Sequence, residues 1–282
     1  MSESVQPTGN TATAAPVASA STADTDLLAQ AADAVRAAGA VLRERFGDVI
    51  RYQSREELMD ALAANDDAAL DLLRPALTRL RPAAGWVEDE LDGGALPAGE
   101  WWVVDPAEGN VNHLHALPEW AVTATLVRDN QPVLTAVHLP LTGETYTALT
   151  GGGAHLDGRP LHVSQSEDLG LSLVATSQAR PDEDENVVRR IGSSITAMLF
   201  DALVVRTSVP ATLHLLNVAA GRLDAFWQFA GARADLLPGA LLVTEAGGRI
   251  SDAEGRPWTP QSESFLAAAP GVHAEAVTTL SR

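Results

Sequence analysis

Trp101-Trp102-Val103-Val104-Asp105-Pro106-Ala107-Glu108-Gly109-Asn110-Val111-Asn112 is the stretch on which the reading of the chain turns. Its apolar start, stopped by Asp105-Pro106, reads as a short buried strand. Glu108 follows across the proline, and Glu108-Gly109-Asn110 reads as a turn into a helix whose first amides can hold an anion. Upstream, Gly85-Trp86-Val87 runs as a strand into a second acidic group, Glu88-Asp89-Glu90. Gathering carboxylates at strand ends costs repulsion, which a divalent cation among them offsets. By spacing alone, the same residues also read as solvated turn formers.

The chain has 282 residues, 46% hydrophobic and 20% charged, which suits a globular protein with a sizeable core. Asp and Glu number 37 against 19 basic residues, all of them arginine, for a formal net charge of -18. So acidic a surface repels nucleic acid and anionic lipid. The lack of lysine removes Schiff-base chemistry and lysine-dependent phosphate loops. The lack of cysteine removes thiol nucleophiles, disulfides and thiolate metal sites. Carboxylates, histidines, hydroxyls, arginines and backbone amides remain, and they favour hard, oxygen-ligated cations. No apolar run approaches the roughly 18 residues of a membrane span. Met1 to Asp24, rich in Ala, Ser, Thr and Pro, is expected to be a disordered tail and not a signal peptide. The cytoplasm is the expected compartment.

Leu27, Leu28, Ala31, Val35, Ala38, Val41, Leu42 and Phe46 recur at helical spacing and predict a helix from Asp26 to about Gly47. A second helix is predicted over Glu56–Leu80, broken near Pro75 and closed by Pro82. Strands are predicted at Trp101–Val104, Ala121–Val127, Val133–Leu139, Thr145–Leu149 and Leu161–Val163, with Asp129 to Pro132 as a turn. They form a mostly antiparallel sheet within an N-terminal α+β domain, residues 25–165. In a C-terminal α/β domain, residues 166–282, strands at Leu171–Thr176, Leu203–Arg206, Asp224–Trp227 and Arg249–Ser251 alternate with helices. Those helices are expected near Asn186–Phe200, Ala211–Ala219 and Leu236–Ala246.

Trp102 through Asn112 resembles the central motif of the inositol monophosphatase family, apolar-apolar-Asp-Pro-Ile-Asp-Gly-Thr-Thr-Asn. Gly152 through Ser164 is similar to the family's hairpin, Val218 through Asp224 to its helix-to-strand turn, and Asp235 through Gly248 to its C-terminal motif. The resemblance covers nearly everything from Asp26 onward. It implies a five-layer α-β-α-β-α sandwich and a Mg²⁺-dependent (or Mn²⁺-dependent) phosphomonoesterase acting on a small polyol or sugar phosphate. It also implies a homodimer, for which the apolar stretch Leu134–Leu141 is the expected surface. By the same resemblance, Asp105 bridges two metal ions. The Ala107 carbonyl and Asp89, or Glu88 by a one-residue shift, complete the first site; Glu108 and Asp235 hold the second. Asp66, Asn110 and Asp89 are the implied catalytic residues, and Gly109, Asn110 and Asp235 the implied phosphate- and substrate-binding ones.

The departures fall on the chemistry. Glu108 stands where the family has aspartate, and Asn110 where it has the threonine that helps activate water; an amide cannot pass a proton onward. Ala63 replaces the threonine of a Thr-x-x-Asp element ending at Asp66. Ala234 replaces a tryptophan, and Ser208-Val209-Pro210 departs from a glycine- and serine-bearing turn. Two readings follow: a phosphomonoesterase with an altered water-activation step, or a repurposed member that binds or regulates, or runs a different reaction in the old cleft. His113 and His115 are expected on one side of an extended segment as turn or cleft-wall residues. Trp86, Trp101, Trp102, Trp120, Trp227 and Trp258 are expected as core or interface anchors, Trp120 being the one allowed near the pocket, and Arg180 to Glu185 as a solvated loop.

Overall fold

Residues 21–47, 49, 51–88, 94–178, 183–229 and 233–282 are described by the computed structural model of the chain. Helix α1 (Thr22–Arg45) begins ahead of the predicted Asp26 because the Ser21 hydroxyl oxygen accepts the Asp24 amide at 3.1 Å. The expected tail therefore ends sooner, and residues 1–20 lie outside the described residues. Helix α2 (Arg55–Leu80) is capped by Ser54 and runs unbroken through Pro75. Pro75 is exposed while Leu73 and Leu77 are buried, so the Asp71 carbonyl that loses its partner lies on the exposed face.

Strands β1 (Gly85–Trp86), β2 (Glu100–Glu108), β3 (Ala121–Arg128), β4 (Gln131–Leu139), β5 (Glu144–Leu149), β6 (Gly153–Leu156) and β7 (Arg159–Pro160) form one sheet in sequence order. The pair β1–β2 is parallel and the rest are antiparallel. Asp129 and Asn130, both at positive φ, close the β3–β4 hairpin as a two-residue turn. Short helix α3 (Asn110–Leu114) lies between β2 and β3. The last strand pairs Arg159 and Pro160, earlier than the predicted Leu161–Val163; the Val163 amide instead bonds the Ala246 carbonyl at 3.1 Å.

Beyond a 3-10 turn at Leu169–Leu171 come β8 (Leu173–Thr176), α4 (Glu185–Asp201), β9 (Val204–Thr207), α5 (Ala211–Ala219), β10 (Ala225–Phe229) and α6 (Arg233–Glu245). They are followed by β11 (Arg249–Ser251), β12 (Ser264–Ala268) and α7 (His273–Leu280). The second sheet has the order β11-β12-β10-β8-β9. Neither β12 nor α7 is anticipated from the sequence. β12 is one short apolar run with no alternation, as befits a strand buried on both faces.

Three clusters of buried side chains define the layers. Leu27, Val35, Leu42, Leu73 and Leu77 of α1 and α2 pack on Trp102, Val122 and Leu134 of the first sheet. Leu215, Leu216, Leu241 and Leu242 of α5 and α6 fill the space between Val137 and Tyr146 on one side and Phe226 and Phe265 on the other. Ile191, Met198, Ala276 and Leu280 of α4 and α7 cover Val174, Trp227 and Leu266. The architecture is therefore a five-layer α-β-α-β-α sandwich. In it Leu134, Ala136 and Val137 are 0% exposed, so the Leu134–Leu141 stretch is interior at its centre and offers no dimer surface.

The central layer is tight. A Cβ on Gly239 of α6 would lie 2.2 Å from Leu215 Cβ of α5. Gly239→Ala is expected to destabilise by about 1–3 kcal/mol, read as a lower urea midpoint. An unchanged midpoint would contradict the close helix crossing.

Candidate active site

Asp105 pairs with Thr123 and Glu108 with Ala121, so three steps along β2 match two along β3. One residue is bulged out of the ladder. In an unbroken strand, residues i and i+3 face opposite sides; the bulge turns Glu108 to the side that Asp105 faces. Pro106 sits inside the irregularity, where its missing N–H costs no ladder bond. Asp105 Oδ1 accepts the Ala107 amide at 2.9 Å and ties the bulge together. The strand therefore runs on to Glu108 instead of stopping at Asp105.

Asp235, in the first turn of α6, comes to the same place. One ligand oxygen from each of Asp105, Glu108 and Asp235 lies within 4.8 Å of the others, with Asp105 and Glu108 buried. Thr212, fully buried in α5, links two of them. Its hydroxyl lies 2.9 Å from Glu108 Oε2 and 2.8 Å from the Asp235 carbonyl oxygen, both acceptors. Convergent carboxylate oxygens of this kind fit a hard divalent cation such as Mg²⁺ or Mn²⁺. Glu88 is not part of the set. It is exposed and paired through both oxygens with the Arg74 guanidinium, at 2.9 and 2.6 Å, over the Trp86 ring. Asp89 lies outside the described residues.

Asp66 and Asn110 meet beside this set. Asn110 Nδ2 donates to Asp66 Oδ1 at 2.8 Å and to the Leu62 carbonyl at 3.0 Å. Asn110 Oδ1 accepts from Asn65 Nδ2 at 2.9 Å, and Asn65 Oδ1 accepts from Arg45 Nε at 2.8 Å. Asn110 is thereby a clamp with its amide hydrogens and oxygen engaged. Burial pushes the Asp66 carboxyl up to about 6, against the opposing Asn110 hydrogen bond. His113 Nε2 lies 2.8 Å from the Leu42 carbonyl and therefore carries its hydrogen, while Nδ1 accepts from Asn65 at 3.0 Å. Burial lowers its pKa, in keeping with this neutral form.

Met59, Asp66, Asp105, Ala107, Glu108, Gly109, Asn110, Ser177, Gln228 and Asp235 line one cavity of about 430 Å³. Gly109 sits at φ 81°, and a Cβ there would lie 2.7 Å from the Glu119 carbonyl oxygen. Asn112, the last residue of the motif, donates to the Glu119 and Val209 carbonyls at 2.8 and 2.9 Å, stapling two walls together. Val209 and Pro210, joined by a cis peptide bond, form one of those walls.

Other expectations shift. His113 and His115 belong to a helical turn, not an extended segment, so His113 is buried and His115 exposed. Trp120 is 1% exposed, packs on His113 at 4.7 Å between ring centroids and belongs to the core cluster, not to the cavity lining. Ala63 is exposed on α2, and Ala234 is buried against Val103 and Leu237. Of the expected acidic loop, residues 180–182 lie outside the described residues, while Asp184 caps α4. Thr212, Asn65, Arg45, Ser177 and Gln228 are the site residues that sequence reasoning misses. Asn65 leaves a trace, since it occupies the core stripe that continues as Ala69, Leu73 and Leu77.

Residues 24–282 match the model described as Inositol monophosphatase family. The chain belongs to the inositol monophosphatase family. Membership implies metal-dependent hydrolysis of phosphate monoesters. An inositol-1-monophosphatase of Rhizobium meliloti (strain 1021) is 34% identical over 227 residues, 79% of this chain and 84% of that one. Nus factor SuhB of Pseudomonas aeruginosa is 32% identical over 211 residues, covering 74% and 78%. The crystal structure of the extragenic suppressor protein suhB from Bartonella henselae superposes with a TM-score of 0.79 at 25% identity, covering 93% of this chain and 99% of that one.

Thr212→Val removes the hydroxyl that orients Glu108. The substitution is expected to weaken Mn²⁺ binding by about 10- to 100-fold, measured by calorimetry. Unchanged affinity would show that Glu108 is positioned without it.

Proposed function

We propose that this chain is a cytoplasmic phosphomonoesterase that hydrolyses the phosphate ester of a small alcohol with Mg²⁺ as cofactor. The convergence of Asp105, Glu108 and Asp235 at the β2 bulge is the observation that carries this reading. These carboxylates would hold the metal together with the Ala107 carbonyl and Asp89. When bound, Mg²⁺ supplies Lewis-acid polarisation of the phosphoryl group and offsets its charge.

The chain's own residues do the rest. The Gly109 and Asn110 amides, at the start of α3, bind phosphoryl oxygens, while Asp235 borders the ester. Asp66 takes the proton of the attacking water. Its Oδ1 is held by the Asn110 amide, so Oδ2 is the oxygen that receives the proton. Asn110 positions this base and relays nothing. Thr212 holds the longer Glu108 in place of the family's aspartate.

A second reading, a member without hydrolytic activity, is favoured by Asn110 and by the likeness to a relative named as a Nus factor. The net charge of -18 counts against nucleic acid as its partner. Phosphate release from a panel of small monoesters in Mg²⁺ separates the two. Release abolished by Asp105→Asn supports the hydrolase, and no release from any ester, with no metal bound in a titration, eliminates it.

The base must be ionised to work, so kcat is expected to rise with pH through about 6 on its acidic side, and Asp66→Asn to remove that limb with most of the activity. Stability runs the other way. A carboxyl raised from 3.8 to about 6 lends the fold stability that is present below the lower value and lost as pH rises through the higher one. Asp66→Asn is therefore expected to raise Tm at pH 8 and not at pH 3.5. A uniform effect on Tm would contradict the burial of this group.

The proposed homodimer uses the end of α4 and the edge strand β9. Leu199, Phe200 and Leu203 are 62%, 84% and 59% exposed there, a cluster of large apolar side chains beside Asp201, which is paired with Arg282. Phe200→Glu is expected to convert a sedimenting dimer into a monomer; an unchanged species places the contact elsewhere.

A further inference from the structure

On the phosphomonoesterase reading, we infer that the substrate's alcohol carries an apolar segment, an alkyl chain or the face of a ring, that lies on Met59, Leu62 and Val111. Of the neutral polar side chains lining the cavity, Gln178 is exposed at its rim, whereas Asn110, Asn112 and Ser177 are spent on the protein itself. Asn110 gives its amide hydrogens to Leu62 and Asp66, Asn112 gives its own to Glu119 and Val209, and the Ser177 hydroxyl donates to Gln228 Oε1 at 2.6 Å. A fully hydroxylated alcohol would leave water for a wall that returns few hydrogen bonds, which costs free energy for each hydroxyl left unpaired.

The apolar side chains stand the other way. Met59 on α2 and Val111 on α3 line the cavity and are nevertheless 53% and 49% exposed. Leu62, one turn along from Met59, is on the same face of α2 and also lines the cavity. Two helices thus present adjoining apolar surface to water at the mouth, beside the carboxylates that would hold the metal at the phosphate end. An apolar segment reaching outward from the phosphate covers it and gains the transfer free energy of that surface. Among the described lining residues none is basic, whereas Asp66, Asp105, Glu108 and Asp235 are acidic. Those described carboxylates would repel a second phosphate or carboxylate on the same alcohol.

The test compares n-hexyl phosphate with ethyl phosphate in Mg²⁺, two esters whose leaving alkoxides differ little in basicity. The kcat/KM ratio is expected to favour the hexyl ester by about tenfold or more, the scale of discrimination that added apolar contact supplies. In Met59→Ser/Val111→Ser the ratio is expected to fall towards one. Binding gives an independent readout. Hexylphosphonate, which cannot be hydrolysed, is expected to raise Tm more than methylphosphonate does, and the double variant to erase the difference. A ratio near or below one in the unaltered chain, or a ratio and Tm difference that survive both substitutions, overturns the apolar subsite while leaving the hydrolase standing. Release from neither ester overturns both.

Discussion

A single mismatch in one strand pair governs the site. Because β2 takes three steps where β3 takes two, Asp105 and Glu108 share a face that an unbroken ladder would deny them. Pro106 makes the regular alternative costly, since a proline within a paired central strand forfeits a ladder bond. The Asp105 carboxylate then accepts the Ala107 amide, so a prospective metal ligand also holds the turn that aims its neighbour. Scaffold and chemistry are the same few atoms here.

Everything else brings further groups to that edge. The central helix layer carries Asp235 on α6 and Thr212 on α5, and the absence of a side chain at Gly239 lets those helices approach closely. On the other side, α2 contributes Asn65 and Asp66 in sequence, one pointing back to Arg45 and the other joined to Asn110. Asn110 differs from the family's threonine in kind. A hydroxyl can both give and take a proton, whereas this amide donates twice and accepts once and is used up in doing so. The consequence is an Asp66 carboxyl held directly, with the burial that raises its pKa built into its position. Glu108 shows a parallel adjustment, its extra methylene matched by a hydroxyl that fixes the carboxylate.

The fold was legible because its signals are local and periodic. The heptad-like spacing of α1, the short apolar strands and the Asp129-Asn130 turn each say what they are without reference to distant residues. Sequence and structure part where tertiary context decides. Pro75 did not break α2 because it lies on the solvent side, and β2 outran its proline because a bulge accommodates it. The apolar Leu134–Leu141 stretch reads as a surface in sequence, whereas α1 and α6 cover it in the fold. Asp105, Glu108 and Asp235 were legible as ligand candidates through motif and order. Thr212 and Asn65 were not, because a lone hydroxyl in a short apolar helix and a lone amide on a core stripe carry no spacing pattern. Glu88 was set apart by its Arg74 partner, which sequence proximity does not reveal.

The most direct measurement is an anomalous difference map from a crystal soaked in Mn²⁺. A peak within coordination distance of Asp105, Glu108 and Asp235 is the predicted result. A fully exchanged crystal with no peak at those three carboxylates, or with manganese only at other acidic surfaces, would contradict the claim that the β2 bulge exists to build a cation site.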